Sequence, residues 1–545
     1  MAPDHDHGHS HDPLPPRGAR GDAAAAPRPP ATAGQDWWGA WVDAWTTGLT
    51  APVALTVPAL LEALGHSAPP SSSADRRTAG LWSDPVLALG SSLALSEPAT
   101  ARLAQQRAAE LLGWVQQHSR FYRVHHTPAG VQPRWSDLPV VDKRLMMVHF
   151  DDWVTDPRLT LERVRGFAAD PENLGELLDG RYAVWSSSGT SGEPALYLKD
   201  RASLNLYEQL LQTRMDRRCA SGRWWWQAAA GRLGPWGLQP RSALITAIDG
   251  PYASISFWMH QMNQHPWLRS GSRAFSVTWP GERLREELNG WQPSFIASYP
   301  SMLTELARWQ RDGRLKLAPL ALWSGGERLV ASTRQWIEQV FQAPVVNDYG
   351  ASECLSIAFE CSAGRLHLND DWVILEPIDR AGQPVPPGVP SHSVLLTHLA
   401  NRIQPLIRYD LGDSVTFFAE RCACGNPRPS FLVEGRTDDS LCLDDGQGQR
   451  VHLAPMALTT AVEDGADVHR FQLRQTTPDG IELRLDLSRS AEPERTRGAA
   501  VTALRRYLAA EGLPRARIDL SDEPPLLDAR SGKLRQVVCL CPARG

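Results

Sequence analysis

The spacing of apolar positions changes character along this chain, and each change marks a different kind of structure. Over residues 101–117 alanines and leucines recur at helical spacing, and Ser119, Arg120, Phe121 and Tyr122 close the run. The stretch from Trp37 to about Trp153 therefore reads as a mainly helical layer. Further on, short apolar runs alternate with amphipathic ones. Residues 295–299 read as a buried strand, and Ser301 is placed to cap a helix carrying Leu303, Leu306, Ala307 and Trp309, stopped by Gly313. A strand over 320–323, the Gly325-Gly326 turn, a helix from about Leu329 to Phe341 and a strand over 344–347 follow. Such a βαβαβ succession builds a parallel sheet with right-handed crossovers and places ligands at the carboxyl ends of its strands. Those ends are Tyr299, Ser324 to Glu327, and Asp348 to Glu353.

After about residue 438 the pattern shifts to strict alternation. Residues 471–475 and 481–487 flank Thr477-Pro478-Asp479-Gly480, which has the chemistry of a β-turn. A helix over about 495–511 ends at Gly512, and Ser531-Gly532-Lys533-Leu534-Arg535 precedes a last apolar strand. The expected fold class is α/β: a large multi-layer α/β nucleotide-binding domain with a smaller, mobile α+β domain at its C-terminal side. The expected division is a tail over 1–36, a helical region over 37–150, a core over 151–437 and a lid domain over 438–545. The tail, rich in His, Pro and Ala, has too little apolar content to offset the entropy of ordering and is expected to be disordered.

Composition narrows the functional classes. The 545 residues are 42% hydrophobic and 21% charged, as in globular proteins. A net charge of −5 supplies no global basic field, which argues against nucleic acid as a partner. No apolar run reaches the roughly 18 residues needed to cross a bilayer, and the amino terminus lacks a signal-peptide layout, so the cytoplasm is the expected location. The eight cysteines crowd mostly after residue 350, which in a reducing compartment suggests thiols or metal ligands before disulfides.

Chemistry first shows at Ser186-Ser187-Ser188-Gly189-Thr190-Ser191-Gly192. Glycines let backbone N–H groups approach phosphate oxygens, and hydroxyls add donors at little steric cost. Apolar strands lead into and out of this run, which favours an anchored phosphate loop over a flexible linker. Taken with Ser324-Gly325-Gly326-Glu327, Asp348-Tyr349-Gly350-Ala351-Ser352-Glu353, residues 408–413, residues 434–439 and residues 531–535, it forms an ordered motif set. The set resembles the core motifs of adenylate-forming enzymes, and within them the phenylacetate-CoA ligase group, including its branch related to ligases that adenylylate a deazaflavin coenzyme. Residues 138–143 also fit that group, and the likeness spans about 110–545.

The resemblance implies roles. Ser187, Ser188, Gly189, Thr190, Ser191 and Gly192 would hold the β- and γ-phosphates of ATP, and Glu353 would hold Mg²⁺. Tyr349 would stack on adenine with Ser324, Gly325, Gly326 and Glu327 on its other side, within the segment that includes Asp348 and Gly350. Asp413 would bind ribose and Arg436 would add positive charge. Lys533 would neutralise charge as a carboxylate attacks the α-phosphate, and Asp438 would be the interdomain hinge. The implied activity is ATP-dependent activation of a carboxylic acid, expected to be aromatic, with pyrophosphate release and transfer to CoA or a carrier-protein thiol. Phe257, Trp258, His260, Trp267 and Tyr299 are the expected aromatic wall of the acid pocket. Two alternatives stay open: adenylation alone or AMP transfer to a non-thiol acceptor, and a non-catalytic, zinc-stabilised scaffold. A homodimer is a further open possibility.

Cys361, His367, Cys422 and Cys424 offer three thiols and an imidazole, a closed tetrahedral set suited to structural Zn²⁺; separate buried thiols are the competing reading. Cys354, Cys442, Cys539 and Cys541 read as packing residues. Departures from the family pattern are Glu193 where lysine is common, Leu411 in place of threonine, and residues 444–448, which lack the usual turn before pantetheine and leave the acceptor open.

Overall fold

The computed structural model describes residues 97–125, 135, 138–187, 195–214, 241–436, 441–446, 450–453, 455–466, 468, 470–487, 492–528 and 533–541. The expected tail, the part of the helical layer before residue 97, the phosphate-loop residues Ser188 to Gly192, Glu193 and the hinge Asp438 lie outside these residues.

A nine-stranded sheet carries the centre of the molecule. Its strands lie in the order Asp413–Phe417, Ser430–Arg436, Leu366–Leu368, Ala358–Glu360, Val345–Tyr349, Ala321–Ser324, Phe295–Ser298, Ser242–Thr246 and Ser272–Ser276. Val345–Tyr349, Ala321–Ser324, Phe295–Ser298, Ser242–Thr246 and Ser272–Ser276 pair in parallel, as a βαβ succession requires. Ile245, Ile296, Leu322 and Val345 are fully buried in it and pack under Leu303, Leu306 and Ile337 of the crossover helices. The other side of the sheet turns antiparallel from Val345–Tyr349 to Ala358–Glu360 onward.

The helix Glu97–His118 buries Ala104, Ala108, Leu111 and Val115, and the helix Arg120–His125 buries Phe121 and Tyr122. These residues join one core with Ile374, Leu396 and Ile407 from a separate three-stranded sheet. The helical segment is thus welded to the main body by apolar burial. The Tyr122 hydroxyl adds a bond to the Pro405 carbonyl at 2.8 Å.

The C-terminal part has its own core of Leu458, Val462, Phe471, Leu473, Ile481, Leu483 and Leu504. The hairpin Phe471–Thr477 and Gly480–Leu485 is antiparallel, while Val537–Cys539 and Arg517–Ser521 join its two edges in parallel. Mixed α/β architecture with a small α+β unit is the fold class that the apolar pattern predicted.

Local punctuation differs in one instructive place. The helix expected to be capped by Ser301 runs Pro300–Arg311, with Tyr299 at its N-cap and Pro300 in its first turn. Proline needs no hydrogen-bond partner there, so the Ser301 hydroxyl and amide are free to bind Glu327.

Candidate functional site

The carboxyl ends of the parallel strands open into a cavity of about 1220 Å³ that reaches the C-terminal part. It is lined by Ser187, Gly326, Glu327, Asp348, Tyr349, Gly350, Glu353, Asp413, Arg436 and Lys533, which the sequence had scattered over almost 350 positions. Ser324 is fully buried, and neither it nor Gly325 lines the cavity.

Gly350 is there because nothing else fits. A Cβ on it would meet the Leu355 carbonyl oxygen at 1.9 Å, so only glycine lets the chain double back and bring Glu353 to the cavity. The Glu353 carboxylate accepts hydrogen bonds from Tyr197 at 2.6 Å and Tyr409 at 3.1 Å, and those hydroxyls are 3.0 Å apart. Behind it, the buried Lys199 ammonium donates to the Glu353 main-chain carbonyl at 2.7 Å. A fixed carboxylate with hard oxygens suits Mg²⁺.

Asp413 and Arg436 face each other across an antiparallel pair, and the Arg436 guanidinium donates to Asp413 at 3.2 Å. Tyr349 donates from its hydroxyl to the other Asp413 oxygen at 2.8 Å, and its ring meets Phe431 edge-on. Burial pushes the Tyr349 hydroxyl well above its ordinary range, and the Asp413 charge adds to it. That hydroxyl stays a donor.

Glu327 accepts from the Ser301 amide at 3.0 Å, the Ser301 hydroxyl at 2.9 Å and the Leu534 amide at 2.8 Å. The last bond crosses from the large body to the C-terminal segment. It delivers the neighbouring Lys533, whose Nζ lies 5.2 Å from the Tyr299 ring centre. Gly326 has φ +76°, and a Cβ there would come within 3.2 Å of the same Nζ, so this glycine makes room for the ammonium. Burial lowers the Lys533 pKa and raises that of Glu327, each opposed by the charge of the other.

Lys143 and Asn347 are among the groups in this cavity that carry no role in the sequence reading. Lys143 lines it from the start of the helix Lys143–Val148, where the Asp142 carboxylate caps the Leu145 amide at 2.7 Å. Burial lowers the Lys143 pKa, and the charge of Glu353 opposes that shift. Asn347 also lines the cavity, and its side-chain oxygen is buried without a hydrogen-bond partner among the described residues. Residues 138–143 carried a signal through their family likeness; Asn347 had none beyond its place before Tyr349.

The expected aromatic wall is not assembled here. Phe257 packs against Tyr207, and Tyr299 binds Thr246 through its hydroxyl at 2.7 Å. His260 is buried, and Trp258 does not line the cavity. Phe257 and Tyr299 belong to the hydrophobic cores, the usual fate of large apolar groups. The Trp267 side chain is outside the described set.

Beside the antiparallel strands Ala358–Glu360 and Leu366–Leu368, the ligand atoms of Cys361, His367, Cys422 and Cys424 all lie within 4.8 Å of one another. Cys361 and Cys422 sulfurs are 3.6 Å apart, and Cys424 sulfur is 3.4 Å from His367 Nε2. His367 Nδ1 donates to the Arg428 carbonyl at 2.9 Å, which leaves Nε2 with its lone pair facing the thiols. This donor set fits tetrahedral zinc.

Residues 250–392 match the AMP-binding enzyme family. The matched segment is about a quarter of the chain and includes the strands Phe295–Ser298, Ala321–Ser324 and Val345–Tyr349. The chain is 29% identical over 140 residues to Protein CapK of Staphylococcus aureus, which covers 25% of this chain and 30% of that protein. The match thus spans less than a third of that curated relative. A structure of 2-hydroxyisobutyryl-CoA ligase in the postadenylation state with 2-HIB-AMP has a TM-score of 0.57 at 20% identity, covering 81% of this chain and 89% of the other. The same ligase with R3-HIB-AMP scores 0.56 at 20% identity and the same coverage. These two likenesses concern the fold.

Proposed function

We propose that this protein activates a carboxylic acid with ATP and passes the acyl group to a thiol of CoA or of a carrier protein. In the first step a carboxylate oxygen attacks the α-phosphorus, the bond to pyrophosphate breaks, and an acyl-adenylate forms. In the second, a thiolate attacks the acyl carbonyl and AMP leaves. Two anions must meet in the first step, and Lys533 neutralises the charge that develops.

The observation that carries the reading is the position of Lys533 beside Gly326, Glu327 and Tyr299 at the mouth of the parallel strands. Asp413 and Arg436 would hold the ribose, Tyr349 and Asn347 the adenine, and Ser187 with the following loop the outer phosphates. Glu353 would hold Mg²⁺ and Lys143 would supply a second cation for the phosphates, in place of the lysine that Glu193 displaces. Structural Zn²⁺ would sit on Cys361, His367, Cys422 and Cys424. Phe257, Trp258, His260 and Tyr299 do not line this cavity, so the class of acid has to be sought in the residues that do.

Acid-dependent ATP–pyrophosphate exchange tests this function. Lys533→Ala is expected to lower the exchange rate by about 10²–10³-fold while nucleotide binding persists. Unchanged exchange in that variant would remove Lys533 from the chemistry. Added CoA, followed by a search for the thioester, separates thiol transfer from a reaction that ends at the adenylate.

A further inference from the structure

We propose that Asp348 selects the substrate: the acid carries a hydrogen-bond donor, best a protonated amine, close to its reacting carboxyl. The inference rests on the adenylate-forming reading above and adds the substrate class.

Side chains alternate along the strand Val345–Tyr349, so Asp348 points away from the face on which Tyr349 binds Asp413. Its Cβ lies 4.0 Å from the place a Gly325 Cβ would take, one residue from Gly326 and the Lys533 ammonium. The reacting carboxyl has to lie beside that ammonium. Asp348 lines the same cavity and is partly exposed.

Several other carboxylates around this cavity have side-chain or multiple partners within the chain. Glu327 has Ser301 and Leu534, Glu353 has two tyrosines, Glu360 has Arg334, and Asp413 has Tyr349 and Arg436. Asp348 has only the Tyr349 amide among the described residues. Its pKa is pushed up to about 7 by burial. Burying a carboxylate with so little compensation is costly unless a partner arrives. A donor on the substrate is such a partner, and an ammonium is the strongest. A pocket built in this way rejects an acid that lacks the donor, because the buried carboxylate is then left unpaired.

The test is pyrophosphate exchange with matched acids: benzoate, 2-hydroxybenzoate and 2-aminobenzoate, and propanoate, 2-hydroxypropanoate and 2-aminopropanoate. The wild type is expected to favour the amino member of at least one set over its unsubstituted parent by about tenfold or more in kcat/KM. Asp348→Ala should abolish that preference, and Asp348→Asn should retain the hydroxy acid better than the amino acid. ATP affinity within about threefold of wild type, well under the 1.4 kcal/mol of a tenfold change, reports that each variant is folded. A wild type that prefers the unsubstituted acids, or an Asp348→Ala variant with unchanged preference, overturns this inference alone. ATP binding with no exchange for any acid overturns the functional reading as well.

Discussion

A single side chain shows how far the environment, and not the residue type, sets chemistry in this protein. Lys199 is fully buried, lies 5.7 Å from the Trp185 ring centre and 5.6 Å from that of Tyr197, and donates to the Glu353 carbonyl. Burial lowers its pKa to about 8. In the unfolded chain a lysine titrates near 10.4. Between these two values the unfolded chain holds the proton that the folded one has released, so this group's contribution to stability rises with pH across that window. Below about pH 8 both states are protonated and the full desolvation penalty is present. Lys199→Met is therefore expected to remove a rise of up to about 3 kcal/mol in unfolding free energy between pH 7.5 and 10.5, measured by urea denaturation. At this scale the sequence exposed the identities of Glu353, Asp413 and Lys533 but not their neighbours. Tyr197 and Tyr409 hold the Glu353 carboxylate from positions more than fifty residues away on either side, a separation no local pattern encodes.

At the scale of elements, the strand–helix alternation was legible because burial demands it: an amphipathic helix over 331–341 has to cover its Ile337 and Phe341 against the sheet and the neighbouring helix Pro300–Arg311. What the spacing could not give was the end of each element. Ser301 has the chemistry of a cap and is used instead to grip Glu327, because Pro300 already starts the helix. The Cys/His cluster belongs to this scale too. Its ligands come from both sides of the hairpin that includes Leu366–Leu368 and from the loop before Ser430–Arg436, so a bound metal would pin those edges together. Protein purified without chelator is expected to contain about one zinc per chain if the tetrahedral set is filled. Cys422→Ser should lower that content and the melting temperature together, as seen by elemental analysis and thermal unfolding. Full zinc retention in that variant would count against the site.

For the whole molecule, the contact that matters is the one between the large body and the C-terminal unit. Arg308 binds Asp486 at 3.0 Å and Glu305 at 3.6 Å, while Arg470 binds Glu305 at 3.3 Å and Asp486 at 3.7 Å. Arg328 donates to Thr459 at 2.8 Å nearby. These alternating charges, each only 14–20% exposed, hold the arrangement in which Lys533 reaches the cavity. Such a network has to open if the C-terminal unit turns to admit a thiol. Arg470→Ala is expected to slow acyl-adenylate formation several-fold, a cost of about 1 kcal/mol, with less effect on thioester formation from supplied acyl-adenylate. Single-turnover measurement of the two half-reactions checks this, and equal slowing of both would count against it.

The sequence by itself determined the parallel α/β core, the small α+β unit, the ordered motifs and the residue types that can bind a nucleotide. Periodicity and turn chemistry are local, and local signals survive in one dimension. Tertiary structure alone decided that Phe257 and Tyr299 serve the core, that Lys143 and Asn347 enter the cavity, and that Asp348 lines it with so little to neutralise it. Those outcomes depend on which distant chain segments exclude water from a given side chain, and that is settled only when the layers pack.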